Sequence, residues 1–188
     1  MSSNAEKRSR LIEIIRDVSL TSGEGITLAS GRTSTFYFNM KPTMMSAEGA
    51  HLIASLVLDN VRDIDADLIG GLEMGAVPLA ASVAAVSQAV DRPLNAFFVR
   101  KAAKDHGTQS LIEGLPKDDT MAGKRVIIIE DVTTTGGSSI KAAEVLRSQG
   151  AEILRVVTIV DREEGAFDAF AAEGLELSPI LRASDFAE

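Results

Sequence analysis

The chain has 188 residues, a formal net charge of −8 and an apolar fraction of 45%. This length and composition favour a globular protein with a sizeable core, so we predict a single domain over residues 1–188. The negative charge gives no general attraction for nucleic acid, and no apolar run approaches the length of a membrane span. Because the chain has no cysteine and a polar start without the apolar core of a secretion signal, we expect a cytoplasmic protein.

The segment 1–45 is predicted to form a helix and a short aromatic strand. Apolar residues at helical spacing over 5–19 indicate an amphipathic helix. Three consecutive aromatic residues, 36–38, follow among turn signals. Since alternate side chains of a strand point to opposite faces, the three rings cannot all enter one core, and at least one ring is available for another task.

From residue 46 onward the pattern alternates helices and strands. Ser46 is predicted to cap a helix that runs to residue 61, and a strand at 67–71 leads through a glycine-containing loop into an alanine-rich helix. The remaining predicted elements are strands at 95–99, 126–129, 153–160 and 175–180 and helices that end near residues 150 and 172. This alternation predicts an α/β fold with a parallel sheet, whose carboxyl strand ends converge on one edge.

A basic segment follows the strand at 95–99. It brings four basic or titratable side chains into a stretch of an otherwise acidic protein: Arg100, Lys101, Lys104 and His106. A solvated charged run is the ordinary interpretation, but open α/β sheets bind ligands at the carboxyl ends of their strands, which favours an anion site here. Residues 105–120 are polar, contain glycine and lack periodicity, so we predict a mobile loop that closes over a bound ligand.

The strand at 126–129 leads into a stretch rich in carboxylates, hydroxyls and glycines. In order, these residues are Glu130, Asp131, Val132, Thr133, Thr134, Thr135, Gly136, Gly137 and Ser138. The free N–H groups at the start of the next helix can bind a phosphate, and the glycines allow close approach of the backbone. The two acids would repel a phosphate, but they are suitable acceptors for ribose hydroxyls. The stretch therefore predicts a ribose 5-phosphate site, with an ordinary Gly/Thr-rich turn as the alternative.

Neither the Walker pattern nor the dinucleotide fingerprint occurs at this turn. Instead, the motif resembles the phosphoribosyl pyrophosphate (PRPP) signature of type I phosphoribosyltransferases. Over nearly all of its length the chain is similar to the orotate phosphoribosyltransferase family of that class, and three stretches carry the resemblance: 27–32 with the aromatic strand, 100–107 and 130–137. The resemblance implies a twisted parallel sheet flanked by helices, with a small base-binding hood to which residues 1–45 contribute.

The resemblance also implies a reaction and a role for each motif. The family transfers ribose 5-phosphate from PRPP to N1 of orotate in UMP biosynthesis, giving orotidine monophosphate and pyrophosphate, with Mg²⁺ held mainly through the substrate. By motif position, the catalytic candidates are Lys104, Glu130 and Asp131. The implied PRPP contacts are Arg100, Lys101, Lys104, His106, Glu130, Asp131, Val132, Thr133, Thr134, Thr135, Gly136, Gly137 and Ser138. The implied orotate contacts are Tyr37, Phe38, Thr134 and Arg162.

Further expectations follow from the resemblance. The loop 71–75 would meet the pyrophosphate, and the mobile loop would serve the site of the neighbouring subunit, which implies a homodimer. One departure is visible, because many members carry lysine where this chain has Ala29. The alternatives are a phosphoribosyltransferase for another base, such as uracil or a purine, and a regulator that senses PRPP while binding nucleic acid. Arg162 and the hood aromatics favour a carboxylated pyrimidine, and the acidic charge disfavours the regulator.

Overall fold

A computed structural model describes residues 3–27, 33–102 and 111–187. Its elements in chain order are α1 (Asn4–Val18), β1 (Leu20–Thr27), β2 (Thr33–Phe38), α2 (Lys41–Met44), α3 (Ala47–Asn60), β3 (Leu68–Leu72), α4 (Ala76–Ala89), β4 (Asn95–Val99), β5 (Ile112–Glu113), β6 (Arg125–Thr133), α5 (Gly137–Ser148), β7 (Glu152–Asp161), α6 (Ala166–Ala172), β8 (Leu177–Arg182) and a 3-10 helix (Ala183–Phe186). Within these ranges, no helix is both long and apolar enough to cross a membrane.

The central sheet has six strands in the order β5-β4-β3-β6-β7-β8. Every neighbouring pair is parallel except β4 and β5, which are antiparallel. The predicted parallel sheet is therefore confirmed, with an added antiparallel strand at one edge. The sheet brings the carboxyl ends of β3, β4, β6 and β7 to the same edge, where the predicted site residues Arg100, Lys101, 130–138 and Arg162 lie.

Strand β6 occupies the middle of the sheet and is buried on both faces. Ile127 and Ile129 join one apolar cluster with α1, α3 and α4, whereas Val126 and Ile128 join a second cluster with α5 and α6. Alternate side chains of a strand point to opposite faces, so the apolar run fills both layers. This packing holds the end of β6, with its two carboxylates, in a fixed position.

Strand β3 approaches its neighbours closely because it contains a glycine pair. A Cβ atom on Gly70 would lie 2.2 Å from the carbonyl oxygen of Phe97 in β4. A Cβ atom on Gly71 would lie 2.3 Å from the carbonyl oxygen of Ile129 in β6. Any side chain at these two positions would push the strands apart.

The N-terminal segment forms a small layer beside the sheet. Strands β1 and β2 pair as an antiparallel two-stranded sheet, and Leu11 and Ile15 of α1 are fully buried in the same cluster as α3. The ring of Phe38 in β2 is 6% exposed and packs edge-on against Phe186, with 5.1 Å between ring centroids. The hood is thus joined to the C-terminal 3-10 helix through the core.

Several elements differ from the sequence prediction. Strand β6 continues to Thr133 because β7 pairs with it as far as Asp161, so Glu130 and Asp131 lie within the strand rather than after it. The last strand spans Leu177–Arg182 instead of 175–180. Strand β1 was not predicted, since its sequence LTSGEGIT contains two glycines and little apolar alternation. The two-residue strand β5 is too short to produce a periodic pattern.

The burial of α1 leads to a stability prediction. Ile15→Ala should lower the free energy of unfolding by about 2–5 kcal/mol, because it leaves a cavity in the core. Val18→Ala on the same helix is the matched control: Val18 is 45% exposed, and surface truncations usually change stability by no more than about 0.5 kcal/mol. Urea unfolding followed by circular dichroism measures both. A separate, earlier transition of α1 in the parent protein would contradict a single domain over 1–188.

Candidate active site

The phosphate-binding candidate is the turn between β6 and α5. Gly136 has a φ of 83°, which favours glycine, and a Cβ atom there would lie 3.0 Å from the ring of Phe170. Helix α5 begins at Gly137, so the N–H groups of its first turn have no acceptor within the helix. The turn encloses a small cavity of about 30 Å³, lined by Glu130, Val132, Thr133, Thr134, Gly136, Gly137, Ser138 and Ser139.

Thr133 contributes an available hydroxyl to this turn. Thr133 is 2% exposed, and its Oγ1 atom has no hydrogen-bond partner among the described residues. A buried hydroxyl without a partner is costly, and an anion in the turn would accept a hydrogen bond from it. The backbone of the same residue is held in place, since its carbonyl accepts a hydrogen bond of 2.9 Å from the N–H of Arg162.

Glu130 lies beneath the turn rather than in solvent. Its residue is 8% exposed, and Oε2 accepts a hydrogen bond of 3.0 Å from Oγ of Ser139 in the first turn of α5. Burial, and then the charge of neighbouring Asp131, raise the pKa of Glu130 to about 8, although the Ser139 hydroxyl opposes the change.

Asp131 is more accessible and lies against the loop that follows β3. Its Oδ1 atom accepts a hydrogen bond of 2.9 Å from the N–H of Val132. The same oxygen would be 2.5 Å from a Cβ atom on Gly75. Because Gly75 has no side chain, the Asp131 carboxylate can lie between β6 and the start of α4.

The loop after β3 is tied to the basic segment after β4. The N–H of Glu73 donates to the carbonyl of Val99 at 2.8 Å, and Oε1 of Glu73 accepts from the N–H of Lys101 at 2.9 Å. Arg100 and Lys101 line a cavity of about 570 Å³ that also reaches Ser138 and Lys141 in α5. Two of the four predicted cations thus lie beside the phosphate turn, and Lys104 and His106 lie outside the described residues.

The predicted orotate contacts have different surroundings. Arg162 follows β7, and its side chain is 6% exposed, with Nη2 located 2.7 Å from Oε1 of Glu164. Tyr37 is 45% exposed on the hood, whereas Phe38 is in the core against Phe186. A contact between Phe38 and a base would require its ring to leave the core, whereas the ring of Tyr37 is already accessible. Both base contacts stay predictions. Position 29 lies outside the described residues.

Two contacts of this site escaped the sequence prediction. Ser139 donates to Glu130, and Gly75, which lies in the predicted loop 71–75, leaves space for Asp131. Ser139 directly follows the predicted motif, which ends at Ser138. It is 1% exposed, which is unusual for a serine at a helix start. Glycine at a helix start is common, so nothing in the sequence pointed from Gly75 to Asp131.

Comparisons with known proteins agree with this geometry. The family model for the phosphoribosyl transferase domain matches residues 43–172. An orotate phosphoribosyltransferase of Bradyrhizobium sp. (strain ORS 278) is 56% identical over 184 residues, covering 98% of this chain and 99% of that protein. The chain belongs to the orotate phosphoribosyltransferase family.

Solved structures of this orotate phosphoribosyltransferase family share the fold. The Mycobacterium tuberculosis H37Rv enzyme in complex with Fe(III) dicitrate has a TM-score of 0.83 and 37% identity, covering 97% of this chain and 99% of that one. The same enzyme in complex with PRPP has a TM-score of 0.78 and 34% identity, covering 95% of this chain and 98% of that one. The predicted type I phosphoribosyltransferase fold is confirmed, and the roles of individual residues stay predictions.

The contact between Gly75 and Asp131 leads to a prediction. Gly75→Ala should lower kcat/KM for PRPP by about 100-fold, because the new Cβ displaces the Asp131 carboxylate by an ångström or more. The fold should survive, since Gly75 has a right-handed φ of −57° that alanine adopts readily. Gly23→Ala is the control, since a Cβ there meets nothing within 4 Å. Steady-state kinetics and a thermal melt measure the two effects, and equal activity of both variants would refute the role of this contact.

Proposed function

We propose that this protein is an orotate phosphoribosyltransferase, which transfers ribose 5-phosphate from PRPP to N1 of orotate and releases pyrophosphate. The observation that carries the proposal is the end of β6, where two carboxylates adjoin a glycine-containing turn with a small cavity at a helix start. Its close relatives over full length carry the name of this activity. The product would be orotidine monophosphate, the precursor of UMP.

The substrate PRPP fits along the edge of the sheet. The turn at 132–138 would bind the 5-phosphate through N–H groups and threonine hydroxyls, with the positive end of the α5 dipole behind it. Glu130 and Asp131 would accept hydrogen bonds from the ribose hydroxyls. The loop at 71–75 and the basic segment, including Arg100, Lys101, Lys104 and His106, would surround the pyrophosphate.

This arrangement suits the charges that the reaction develops. Breaking the bond between ribose and pyrophosphate creates positive charge on the sugar and negative charge on the leaving group. In this proposal the Asp131 carboxylate would lie on the sugar side, and the basic segment would lie on the leaving-group side. Lys104 is the proposed main contact to the leaving group, and closure of its loop would exclude water that otherwise hydrolyses the activated sugar.

Mg²⁺ is the proposed cofactor. Among the described residues, no three His, Cys, Asp or Glu side chains are grouped closely enough to hold a metal ion. Mg²⁺ commonly retains waters and binds substrate phosphates rather than an all-protein cage, so the site fits an ion that PRPP itself carries. When bound, the ion supplies charge neutralisation on the pyrophosphate, which the loop at 71–75 and Arg100 would position.

Orotate would be recognised by Arg162 and Tyr37. The guanidinium of Arg162 has five N–H donors in a planar fork, so it can bind the orotate carboxylate while it retains Glu164. The exposed ring of Tyr37 would lie against the pyrimidine, and Thr134 would contribute a hydroxyl. A homodimer in the cytoplasm, with the loop of each subunit closing over the partner's site, completes the proposal.

The first test is the fall in orotate absorbance after addition of the protein, PRPP and Mg²⁺, with uracil and adenine in parallel. We expect turnover of orotate alone, because the other bases lack the carboxylate that Arg162 binds. Turnover of uracil or adenine at a similar rate would overturn the base assignment. Binding of PRPP without any turnover would leave the ribose-phosphate site and remove the catalytic function.

Arg162 is tested separately. Arg162→Ala should raise the KM for orotate by about 10-fold to 100-fold, the value of a charge-assisted hydrogen-bonded pair, and change the KM for PRPP by less than about threefold. Arg62→Ala is the control, because Arg62 is 73% exposed and pairs only with Asp59 in the described structure. Equal losses for both substrates would show that Arg162 supports the fold rather than the base.

The shared loop is tested with hybrid dimers. Lys104→Ala and Asp131→Asn proteins should each be inactive, and an equilibrated mixture should recover about one quarter of the parent activity, since half of the dimers are hybrids with one intact site. Differently tagged subunits, purified through both tags, measure the exchange. No recovery in verified hybrids would show that each loop serves its own subunit.

A further inference from the structure

The first turn of α5 contains a buried hydroxyl that reaches the ribose-binding acid. Ser139 is 1% exposed, and its Oγ donates to Oε2 of Glu130 at 3.0 Å. Its neighbour Ser138 is exposed at the rim of the turn. Two consecutive serines therefore have separate positions, one towards the ligand space and one beneath it.

The position of Ser139 connects two parts of the site that would otherwise be independent. The backbone of this residue belongs to the helix start that would bind the 5-phosphate, and its side chain holds Glu130 at the end of β6. A glutamate side chain has three rotatable bonds, so a carboxyl without a partner would sample several rotamers. The hydrogen bond to Ser139 restricts Glu130 to the rotamer that lines the turn.

We propose that Ser139 is a positioning residue for PRPP, which holds the carboxyl of Glu130 in register with the phosphate-binding turn. The inference rests on the proposed function and adds a residue to that site. The role proposed here belongs to the Ser139 hydroxyl, whose hydrogen bond is directed to Glu130. It acts through Glu130, so that the distance between the bound 5-phosphate and the acceptor for the ribose hydroxyl is fixed before the substrate arrives.

The surroundings of Glu130 favour this role for Ser139. The groups that act on the Glu130 carboxyl are the side chain and backbone of Asp131 and the hydroxyl of Ser139, and Thr158 is the register partner of Glu130 in β7. Asp131 is the one charged group among them, and its charge disfavours ionisation of Glu130. The Ser139 hydroxyl, together with the backbone of Asp131, stabilises the ionised carboxylate, which is the stronger acceptor for a ribose hydroxyl.

The test uses a set of single substitutions. Ser139→Ala should weaken PRPP binding by about 10-fold, measured by calorimetry in the presence of Mg²⁺, and leave the KM for orotate within about twofold. Ser139→Thr keeps the hydroxyl and should restore most of the loss. Ser148→Ala is the matched control, since Ser148 lies on the same helix, is exposed, and donates to the carbonyl of Val145 at 2.7 Å.

A pH profile separates positioning from a merely structural role. Binding of PRPP should strengthen as pH rises through the pKa of Glu130, because the carboxylate accepts hydrogen bonds better than the neutral acid. Removal of the Ser139 hydroxyl should move this rise to higher pH by about one unit, since the bond that favours the charged form is lost. An unmoved profile with a lowered melting temperature would overturn the proposal.

A double-mutant cycle tests whether Ser139 acts through Glu130. In a Glu130→Ala background, Ser139→Ala should have no further effect on PRPP binding, whereas additive losses would contradict the proposal. PRPP binding is measured separately from orotate turnover, so a failure of the Ser139 proposal can be distinguished from a failure of the proposed function. A protein that binds PRPP with the expected Ser139 dependence but does not convert orotate would refute the function alone.

Discussion

The close approach of β3 to its neighbours is the constraint on which the site depends. The carbonyl oxygens of Phe97 and Ile129 occupy the space where side chains of Gly70 and Gly71 would be. This approach brings the ends of three strands together, so that the loop after β3, the basic segment after β4 and the carboxylates of β6 share one edge. A third glycine, Gly75, has a similar effect at the start of α4, where its lack of a side chain leaves space for the Asp131 carboxylate. The glycines thus set the spacing between the strands, and the charged side chains lie in the space that results.

The electrostatics of the edge combine opposite requirements. A phosphate is bound by N–H groups and positive potential, whereas ribose hydroxyls are bound by acceptors, and the two kinds of group lie within a few residues of each other here. Burial of Glu130, and then the charge of Asp131, raise the pKa of its carboxyl. The Ser139 hydroxyl partly offsets this effect. Ionisation of Glu130 therefore depends on contacts from both the end of β6 and the start of α5.

Most of the fold could be predicted from the sequence because its signals are local. The apolar run 126–129, the serine cap at Ser46 and the alanine-rich helix after Gly75 are each encoded within a few residues. The phosphate turn could be predicted for the same reason. Contacts that join distant segments gave no local pattern: the packing of Phe38 on Phe186, the bond from Ser139 to Glu130 and the pairing of β5 with β4. The sequence indicated that at least one of the three aromatic rings is available for another task. Only the tertiary packing shows that the ring of Tyr37 is exposed and that the ring of Phe38 is buried.

The exposed ring on the hood also gives the protein a spectroscopic property. Tyr37 is the one tyrosine of the chain, and the sequence contains no tryptophan. Its side chain is 45% exposed on β2, far along the chain from the phosphate turn. Nearly all intrinsic ultraviolet fluorescence of a subunit therefore originates from a single point on the hood. Unlabelled protein carries its own optical probe of the hood, so events there can be followed separately from those at the turn between β6 and α5.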